Sequence, residues 1–221
     1  MQFKQLTLLR SYLVPATACA LCLGLYFTGN FQMVYAALIV IVASFVEHGK
    51  NGFRALGFQS KNFNALNLLV FAPLLGIAMF CLWLFVLVPG VPMITGQPLD
   101  YSIFDQFVGD LPAVLFLGGY IWASAAFGEE IVFRGFLMRQ FSKFFGNSWF
   151  SLTINIVLFA VLFGYLHAYQ GLSGQIVSGI GGAIWALVFH FRKSDLWVVI
   201  FGHGLYDTMA LAMIYFGISP Q

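Results

Sequence analysis

The chain has 221 residues, of which 61% are hydrophobic, 18% aromatic and only 8% charged, whereas soluble globular domains carry about 25% charged residues. This composition excludes a soluble globular protein, and a net charge of only +2, spread over several loops, argues against nucleic-acid binding. Apolar runs that approach the roughly 20 residues of a membrane-spanning α-helix recur from end to end. A transmembrane β-barrel would instead show alternating segments of about ten residues. The sequence therefore predicts an all-α, polytopic transmembrane bundle of about seven helices.

The predicted helices follow one another with short breaks. In chain order they span residues 11–29, 31–47, 65–90, 111–141, 149–168, 173–191 and 196–217. Residues 48–64 are predicted to form a polar loop. Residues 96–110 contain Pro98 and three aspartates, and we expect them to be extramembrane or re-entrant, because unpaired backbone cannot face lipid. No linker or internal repeat divides the chain, so we predict one integral membrane domain over residues 1–221.

The basic residues of the loops fall on one side of the predicted bundle, opposite the acidic 96–110 loop. They are Lys4, Arg10, Lys50, Arg54, Lys61, Arg139, Lys143, Arg192 and Lys193. By the positive-inside rule, the N-terminus is predicted to be cytoplasmic. The first helix, which contains small residues at 18–20, could also be a cleaved signal peptide, but we favour a retained anchor. Cys19 and Cys22 form a C-x-x-C pair without a surrounding βαβ pattern, so free thiols are expected there.

The stretch GEEIVFRG, residues 128–135, places three charges inside a predicted membrane helix. A charge at the bilayer centre costs about 2.5–3.5 kcal/mol on insertion scales, so such residues suggest a function. Glu130 and Arg134 are four residues apart on one helix face and can neutralise each other. Glu129 points about 100° away and has no such partner. We predict a structural Glu130–Arg134 pair that positions Glu129; the alternative is that all three only hold helices together.

Two histidines lie beside these charges in the predicted bundle. His167 closes the phrase FGYLH, and His203 begins HGLYD, which puts Asp207 one turn further along the same face. Ser148, in the turn between the fourth and fifth helices, lies 19 residues from both Glu129 and His167. At about 1.5 Å per residue, an antiparallel hairpin brings these two side chains to the same depth. His203 is predicted to be offset from them by about a third of the bilayer unless the last helix tilts or breaks.

The residue types point to hydrolysis. A carboxylate and an imidazole in a low-dielectric pocket form a general-base pair that can activate water. A second histidine nearby can donate a hydrogen bond to a developing oxyanion. Glu129, His167 and His203 therefore suggest cleavage of an acyl bond within or beside the membrane. The G-x-S-x-G elbow of serine hydrolases and the H-E-x-x-H motif of zinc proteases are both absent from the sequence.

Three motifs in order, E-E-x-x-x-R, F-x-x-x-H and H-x-x-x-D, resemble the CPBP family of CAAX endoproteases and bacteriocin-processing or immunity proteins. The resemblance covers residues 111–217, the predicted catalytic core. It implies that Glu129 and His167 activate the attacking water. It also implies that Glu130 and Arg134 support Glu129.

The same resemblance assigns the oxyanion hole to His203 and the residue at 207, and it makes Phe163 a supporting residue. Eukaryotic members have asparagine where this chain has Asp207, and an ionised aspartate cannot donate a hydrogen bond. Asp207 is therefore protonated, orients His203 or ligates a metal. Glu129, His167, His203 and Asp207 together could also bind zinc, with two nitrogen and two oxygen ligands. We favour a glutamate mechanism that needs no cofactor, as in the prenyl-processing members.

The expected function is an intramembrane endopeptidase that acts on a membrane-associated peptide or protein, with no nucleic-acid partner. The substrate could be CAAX-like or of the leader or bacteriocin type, and the sequence leaves the oligomeric state open. One alternative is a non-catalytic immunity or scaffolding protein in the membrane. Another is a small proton-linked transporter, although matching broken helices in inverted repeats are not found. The short loops and the lack of organellar targeting features favour a bacterial cytoplasmic membrane.

Overall fold

The computed structural model describes residues 2–29 and 32–218. Within them, the chain forms ten α-helices: α1 Gln2–Phe27, α2 Met33–His48, α3 Gly52–Leu56, α4 Ala72–Leu82, α5 Val88–Thr95, α6 Leu111–Ile121, α7 Met138–Phe145, α8 Trp149–Leu166, α9 Gly171–Phe191 and α10 Leu196–Tyr215. Three π-helical segments are joined to them, Asn67–Phe71, Trp83–Leu87 and Trp122–Leu137. Short 3₁₀ turns are Gly49–Asn51, Ser60–Asn62, Ser102–Phe107 and Ala168–Gln170. These two described ranges contain no β-strand.

Seven largely helical stretches are long and apolar enough to cross a membrane. They are Leu9–Phe27, Met33–Asn62, Asn67–Thr95, Leu111–Phe145, Trp149–Leu166, Ala168–Phe191 and Leu196–Tyr215. The predicted all-α bundle of about seven helices is confirmed, and most boundaries agree within a few residues. Residue 31, the predicted start of the second helix, lies outside the described residues.

The segment at 48–64 differs from the predicted polar loop. Residues 49–62 are mostly helical, and Leu56 at the end of α3 is only 1% exposed. Gly57 follows with φ of 108°, and a Cβ there would lie 2.7 Å from the carbonyl oxygen of Ser194. The backbone N–H of Leu196 donates to the carbonyl of Gly57 at 3.2 Å. This segment therefore packs against the start of α10. Its basic residues had indicated only a polar loop.

Glycines allow α10 to pack closely within the bundle, where it contacts α4, α6, α9 and the π segment Trp122–Leu137. A Cβ at Gly76 of α4 would lie 2.7 Å from the carbonyl oxygen of Gly202. A Cβ at Gly204 would lie 2.6 Å from the indole ring of Trp122. Membrane helices associate through such small residues because lipid supplies no hydrophobic force between them. Gly202 and Gly204 thus serve close packing, and α10 is not broken at either residue.

The loops gather at two ends of the bundle. At one end, which we call the basic end, Gln59 donates to the carbonyl of Lys193 at 3.1 Å and Lys143 donates to the carbonyl of Ser11 at 2.6 Å. At the other, which we call the acidic end, the N–H of Asp100 donates to the carbonyl of Gln170 at 3.1 Å. There too, Gly109 donates to the carbonyl of Tyr215 at 2.9 Å. The two ends contain the basic loops and the 96–110 loop, respectively.

Candidate active site

The charged motif lies in the π segment Trp122–Leu137, which continues α6 and precedes α7. Short π-helical turns are frequent at functional sites because they re-aim side chains that an α-helix would stack. Glu130 and Arg134 still meet, with Arg134 Nη1 3.2 Å from Glu130 Oε1, and their side chains are 0% and 2% exposed. The Glu130–Arg134 ion pair drawn from the sequence is therefore present, deep in the protein.

Glu130 has a second partner that the sequence analysis missed. Nδ1 of His203 lies 2.8 Å from Glu130 Oε1. The predicted offset of His203 by a third of the bilayer is therefore wrong, because His203 touches the neighbour of Glu129. Trp185 stacks on the His203 ring, with centroids 5.2 Å apart and planes 22° apart.

Arg134 joins the motif-bearing π segment to α8 and α9. Its Nη2 donates to the carbonyl oxygen of Gly182 at 2.7 Å. Its guanidinium carbon lies 5.1 Å from the centroid of the Phe163 ring, within the range of a cation–π contact. The Phe163 ring also fills the space beside Gly182, where a Cβ would lie 3.0 Å from Cδ1 of Phe163. Arg134 thus balances the Glu130 charge while its remaining contacts orient two other helices.

Phe163 also explains the spacing of F-x-x-x-H. The carbonyl oxygen of Phe163 lies 2.8 Å from Nδ1 of His167, and the two rings are 4.7 Å apart. A backbone carbonyl can only accept, so Nδ1 of His167 carries the proton. In the neutral imidazole, Nε2 of His167 is then left as a hydrogen-bond acceptor. His167 follows the last residue of α8, where the helix ends at Leu166.

Glu129 differs from its neighbour in having an open environment. Among the described residues, it has no hydrogen-bond or ion-pair partner, and it is partly exposed. Glu129 and His167 line the same two cavities. Because the carboxylate and the free His167 Nε2 are both hydrogen-bond acceptors, they can share the two O–H groups of one water molecule.

The larger cavity has a volume of about 400 Å³. Its polar lining includes Ser124, Glu129, His167, Tyr169, Gln170, Ser178, His203, Tyr206 and Asp207, and the rest is largely apolar or aromatic. Tyr101 of the 96–110 loop also lines it and accepts a hydrogen bond from Trp83 Nε1 at 3.3 Å. Burial raises the pKa of Tyr101 to about 12, although the Trp83 hydrogen bond opposes the shift. Tyr101 therefore stays neutral and provides a hydroxyl at this wall.

A smaller cavity of about 340 Å³ is also lined by Glu129. Tyr26 and Met33, from α1 and α2, line it together with Leu166 and His167. Glu129 and His167 thus border both cavities. A substrate in one space would leave the other free to supply water to the same pair of side chains.

Asp207 lies on the cavity wall one turn from His203. Its Oδ2 is 3.7 Å from His203 Nε2, beyond hydrogen-bond length, and it has no hydrogen-bond partner in the part of the chain that the structure describes. The gap leaves Nε2 of His203 able to reach a group in the cavity. Asp207 therefore lies beside His203 without holding its Nε2–H.

The four side chains considered as zinc ligands do not form a ligand set. Across residues 2–29 and 32–218, no three His, Cys, Asp or Glu side chains are grouped so that they could hold a metal ion. The Nδ1 atoms of His167 and His203 contact Phe163 and Glu130, which leaves both Nε2 atoms free and by itself does not decide against a metal. These residues as arranged do not fit a zinc centre, whose ligands must lie within about 0.2 Å of ideal distances.

Several contacts of the site have no clear signal in the sequence. The carbonyl of Gly182 is a backbone group, so no side-chain pattern predicts that it binds Arg134. Trp185 and Tyr206 lie among apolar residues and resemble ordinary core aromatics, although Tyr206 falls within the HGLYD phrase.

Far from the site, Glu47 is also buried: its side chain is 4% exposed and pairs with Lys143 at 2.5 Å.

Comparison with known proteins supports the resemblance seen in the motifs. The family model described as type II CAAX prenyl endopeptidase Rce1-like matches residues 111–209. The match begins at the first residue of α6 and includes the π segment, α8, α9 and most of α10. No curated protein and no solved structure matches the chain. The predicted resemblance to the CAAX protease family is confirmed over residues 111–209, and that family implies CAAX-type intramembrane endopeptidase activity.

Proposed function

We propose that this relative of the type II CAAX prenyl endopeptidases hydrolyses a peptide bond of a membrane-associated peptide or protein, with Glu129 as general base. The observation that carries the proposal is a contrast between two adjacent carboxylates. Glu130 is fully buried and bonded to Arg134 and His203, whereas Glu129 has no partner among the described residues and lines the cavities beside His167. A general base needs an accessible carboxylate, and a fixed neighbour can position it.

In the proposed reaction, one water molecule lies between Glu129 and Nε2 of His167. Glu129 takes a proton from it as its oxygen attacks the scissile carbonyl carbon, while His167 orients the second O–H bond. The carbon–nitrogen bond then breaks, and the proton held by Glu129 passes to the departing amine. This sequence balances without any further reactant. The low-dielectric surroundings strengthen each of these interactions.

His203 stabilises the negative charge that develops on the carbonyl oxygen. Its Nδ1–H donates to Glu130, so Nε2 can donate to the oxyanion only when the ring is the imidazolium. Glu130 on one side and Asp207 on the other favour that charged form. Asp207 thus acts by holding the charge on His203, and it need not donate a hydrogen bond itself. An oxyanion donor of this kind is worth about 10²–10³-fold in rate.

The decisive experiment is product analysis. Purified protein in detergent is incubated with a library of membrane-derived peptides, and new peptide termini are identified by mass spectrometry. We expect defined new termini with the unmodified protein and none with the Glu129→Gln variant. The Glu129→Gln variant is a matched control because it keeps Glu130 and replaces only one carboxylate oxygen. Its folding is checked before the comparison. Absence of new termini with the unmodified protein would instead favour a non-catalytic membrane role.

The proposal also covers the membrane in which the protein lies and its orientation there. Seven apolar stretches make it an integral membrane protein. We propose a bacterial cytoplasmic membrane with the N-terminus in the cytoplasm, on the basis of the basic loops and the positive-inside rule. The substrate is a membrane-anchored peptide or protein that reaches the cavity from within or beside the bilayer.

A further inference from the structure

The larger cavity is asymmetric along the bundle: it runs from the acidic end to about the middle. Its helical lining comes from five stretches, residues 79–87, 117–129, 163–170, 177–185 and 203–214. The catalytic candidates lie at its inner limit. The 96–110 loop contributes Tyr101, Phe104, Asp105 and Val108, and the end of the chain contributes Gly217 and Ile218. The loops of the acidic end therefore form the mouth.

The basic end is closed by packed side chains. Leu56, Phe189 and Leu196 are at most 3% exposed, and none of them lines the cavity. They meet around two glycines: a Cβ at Gly57 would lie 3.2 Å from Leu196, and a Cβ at Gly135 would lie 2.9 Å from the carbonyl of Leu56. These packed residues lie at the basic end, and neither described cavity is lined by them.

The charges of the loops define which end faces the cytoplasm. The described loop and helix-end cations all lie toward the basic end: Arg10, Lys50, Arg54, Lys61, Arg139, Lys143, Arg192 and Lys193. The described loops of the acidic end have Asp100, Asp105 and Asp110 and no Lys or Arg. Short loops rich in Lys and Arg remain on the cytoplasmic side. The charge asymmetry therefore assigns the closed end to the cytoplasm.

We propose that the site opens to the extracytoplasmic face, so that its substrate is a peptide segment on the outer side of the membrane next to a membrane anchor. This inference rests on the proposed peptidase function and adds the face from which the substrate enters. It differs from processing of a cytoplasmic C-terminal tail, which would have to approach through the closed basic end. The partly apolar cavity fits the residues that adjoin a membrane anchor, which are themselves apolar or aromatic.

The orientation of the cavity mouth can be tested without any enzymatic assay. In a variant lacking Cys19, Cys22 and Cys81, a single cysteine is placed at Ile103 or at Lys50, both exposed residues outside the catalytic set. Intact cells are treated with a membrane-impermeant maleimide. We expect Ile103→Cys to react in intact cells and Lys50→Cys to react only after the membrane is opened. The reverse pattern would overturn the proposal, as would equal reaction of both sites in sealed cells.

The substrate side is tested with two reporters that have the same cleavable segment, chosen from the products of the peptide library, beside a single membrane anchor. One reporter presents the segment on the outer face and the other on the cytoplasmic face. We expect the protein to cleave only the outer reporter and Glu129→Gln to cleave neither. Cleavage of the cytoplasmic reporter, or of neither reporter despite cleavage of the free peptide, would refute the inference and leave the peptidase function standing. Failure to cleave any peptide in detergent would count against the peptidase function, while maleimide labelling would still decide the orientation.

Discussion

Nδ1 of His203 lies 2.8 Å from Oε1 of Glu130, although 73 residues separate them in the chain. Glu130 also pairs with Arg134 through the same oxygen at 3.2 Å. One carboxylate thereby joins the π segment to α10, and Arg134 extends the network to α9 through Gly182. The two adjacent glutamates thus have different surroundings: Glu130 holds helices together, and Glu129 faces the cavity.

This division predicts different outcomes for the two adjacent glutamates. Glu129→Gln is isosteric and breaks no hydrogen bond in the described structure, so its melting temperature should match that of the unmodified protein. Its turnover should fall by about 10²–10⁴-fold, as expected for loss of a general base. Glu130→Gln should lower the melting temperature, because it leaves Arg134 and His203 without their shared anion. Both variants are compared by peptide cleavage and by thermal unfolding in detergent; equal effects on stability would contradict the assignment.

Removal of Arg134 should destabilise the protein. An unpaired buried charge costs about 3–5 kcal/mol in soluble proteins, and Glu130 would become such a charge in Arg134→Ala. Arg134→Lys should recover only part of the stability, because one ammonium replaces the planar fork that reaches both Glu130 and Gly182. Arg54→Ala, which removes an exposed arginine, is the charge-matched control. A melting temperature of Arg134→Ala equal to that of the control would show that Glu130 does not depend on this arginine.

Much of this arrangement could be predicted from sequence, because apolar length and charge spacing are local properties. The seven spans and the Glu130–Arg134 pair follow from them. The contact of His203 with Glu130 could not be predicted, since it depends on how α10 packs against the segment Trp122–Leu137, which is a tertiary property. The partner of Arg134 on α9 could not be predicted either, because it is the backbone carbonyl of Gly182. Contacts through backbone groups leave no side-chain signature.

His203 and Asp207 should differ in their importance for catalysis. His203→Ala removes the proposed oxyanion donor and should reduce turnover by about 10²–10³-fold. Asp207→Asn should be milder, because Glu130 still favours the charged His203 and the new amide can itself donate a hydrogen bond. Turnover and substrate affinity are measured separately for each variant. If Asp207→Asn were as inactive as His203→Ala, the carboxylate itself would be required, as a ligand or an acid.

Because α10 is closely packed, adding a single methyl group at Gly204 should lower the stability of the protein. Gly204→Ala would place a Cβ 2.6 Å from the Trp122 ring, which is held by a hydrogen bond from its Nε1 to Thr208. Overpacking of this kind costs about 1–3 kcal/mol, so the melting temperature should fall. Gly119→Ala on α6 is the matched control, because a Cβ there meets nothing within 4 Å. The control should be neutral or stabilising, by up to about 1 kcal/mol, because alanine favours helix more than glycine does.

The last prediction concerns metal. Among the described residues, the acidic and histidine side chains are not grouped as metal ligands. We therefore expect peptide cleavage to survive dialysis against a strong chelator and purified protein to contain no stoichiometric zinc. A chelator can also inhibit an enzyme without removing a metal from it. The dialysed protein is therefore assayed with and without added zinc. Thermal unfolding is followed in parallel, since a structural ion would raise the melting temperature by binding only the folded state. Stoichiometric zinc, with activity lost on chelation and restored by zinc alone, would show that the glutamate mechanism is wrong.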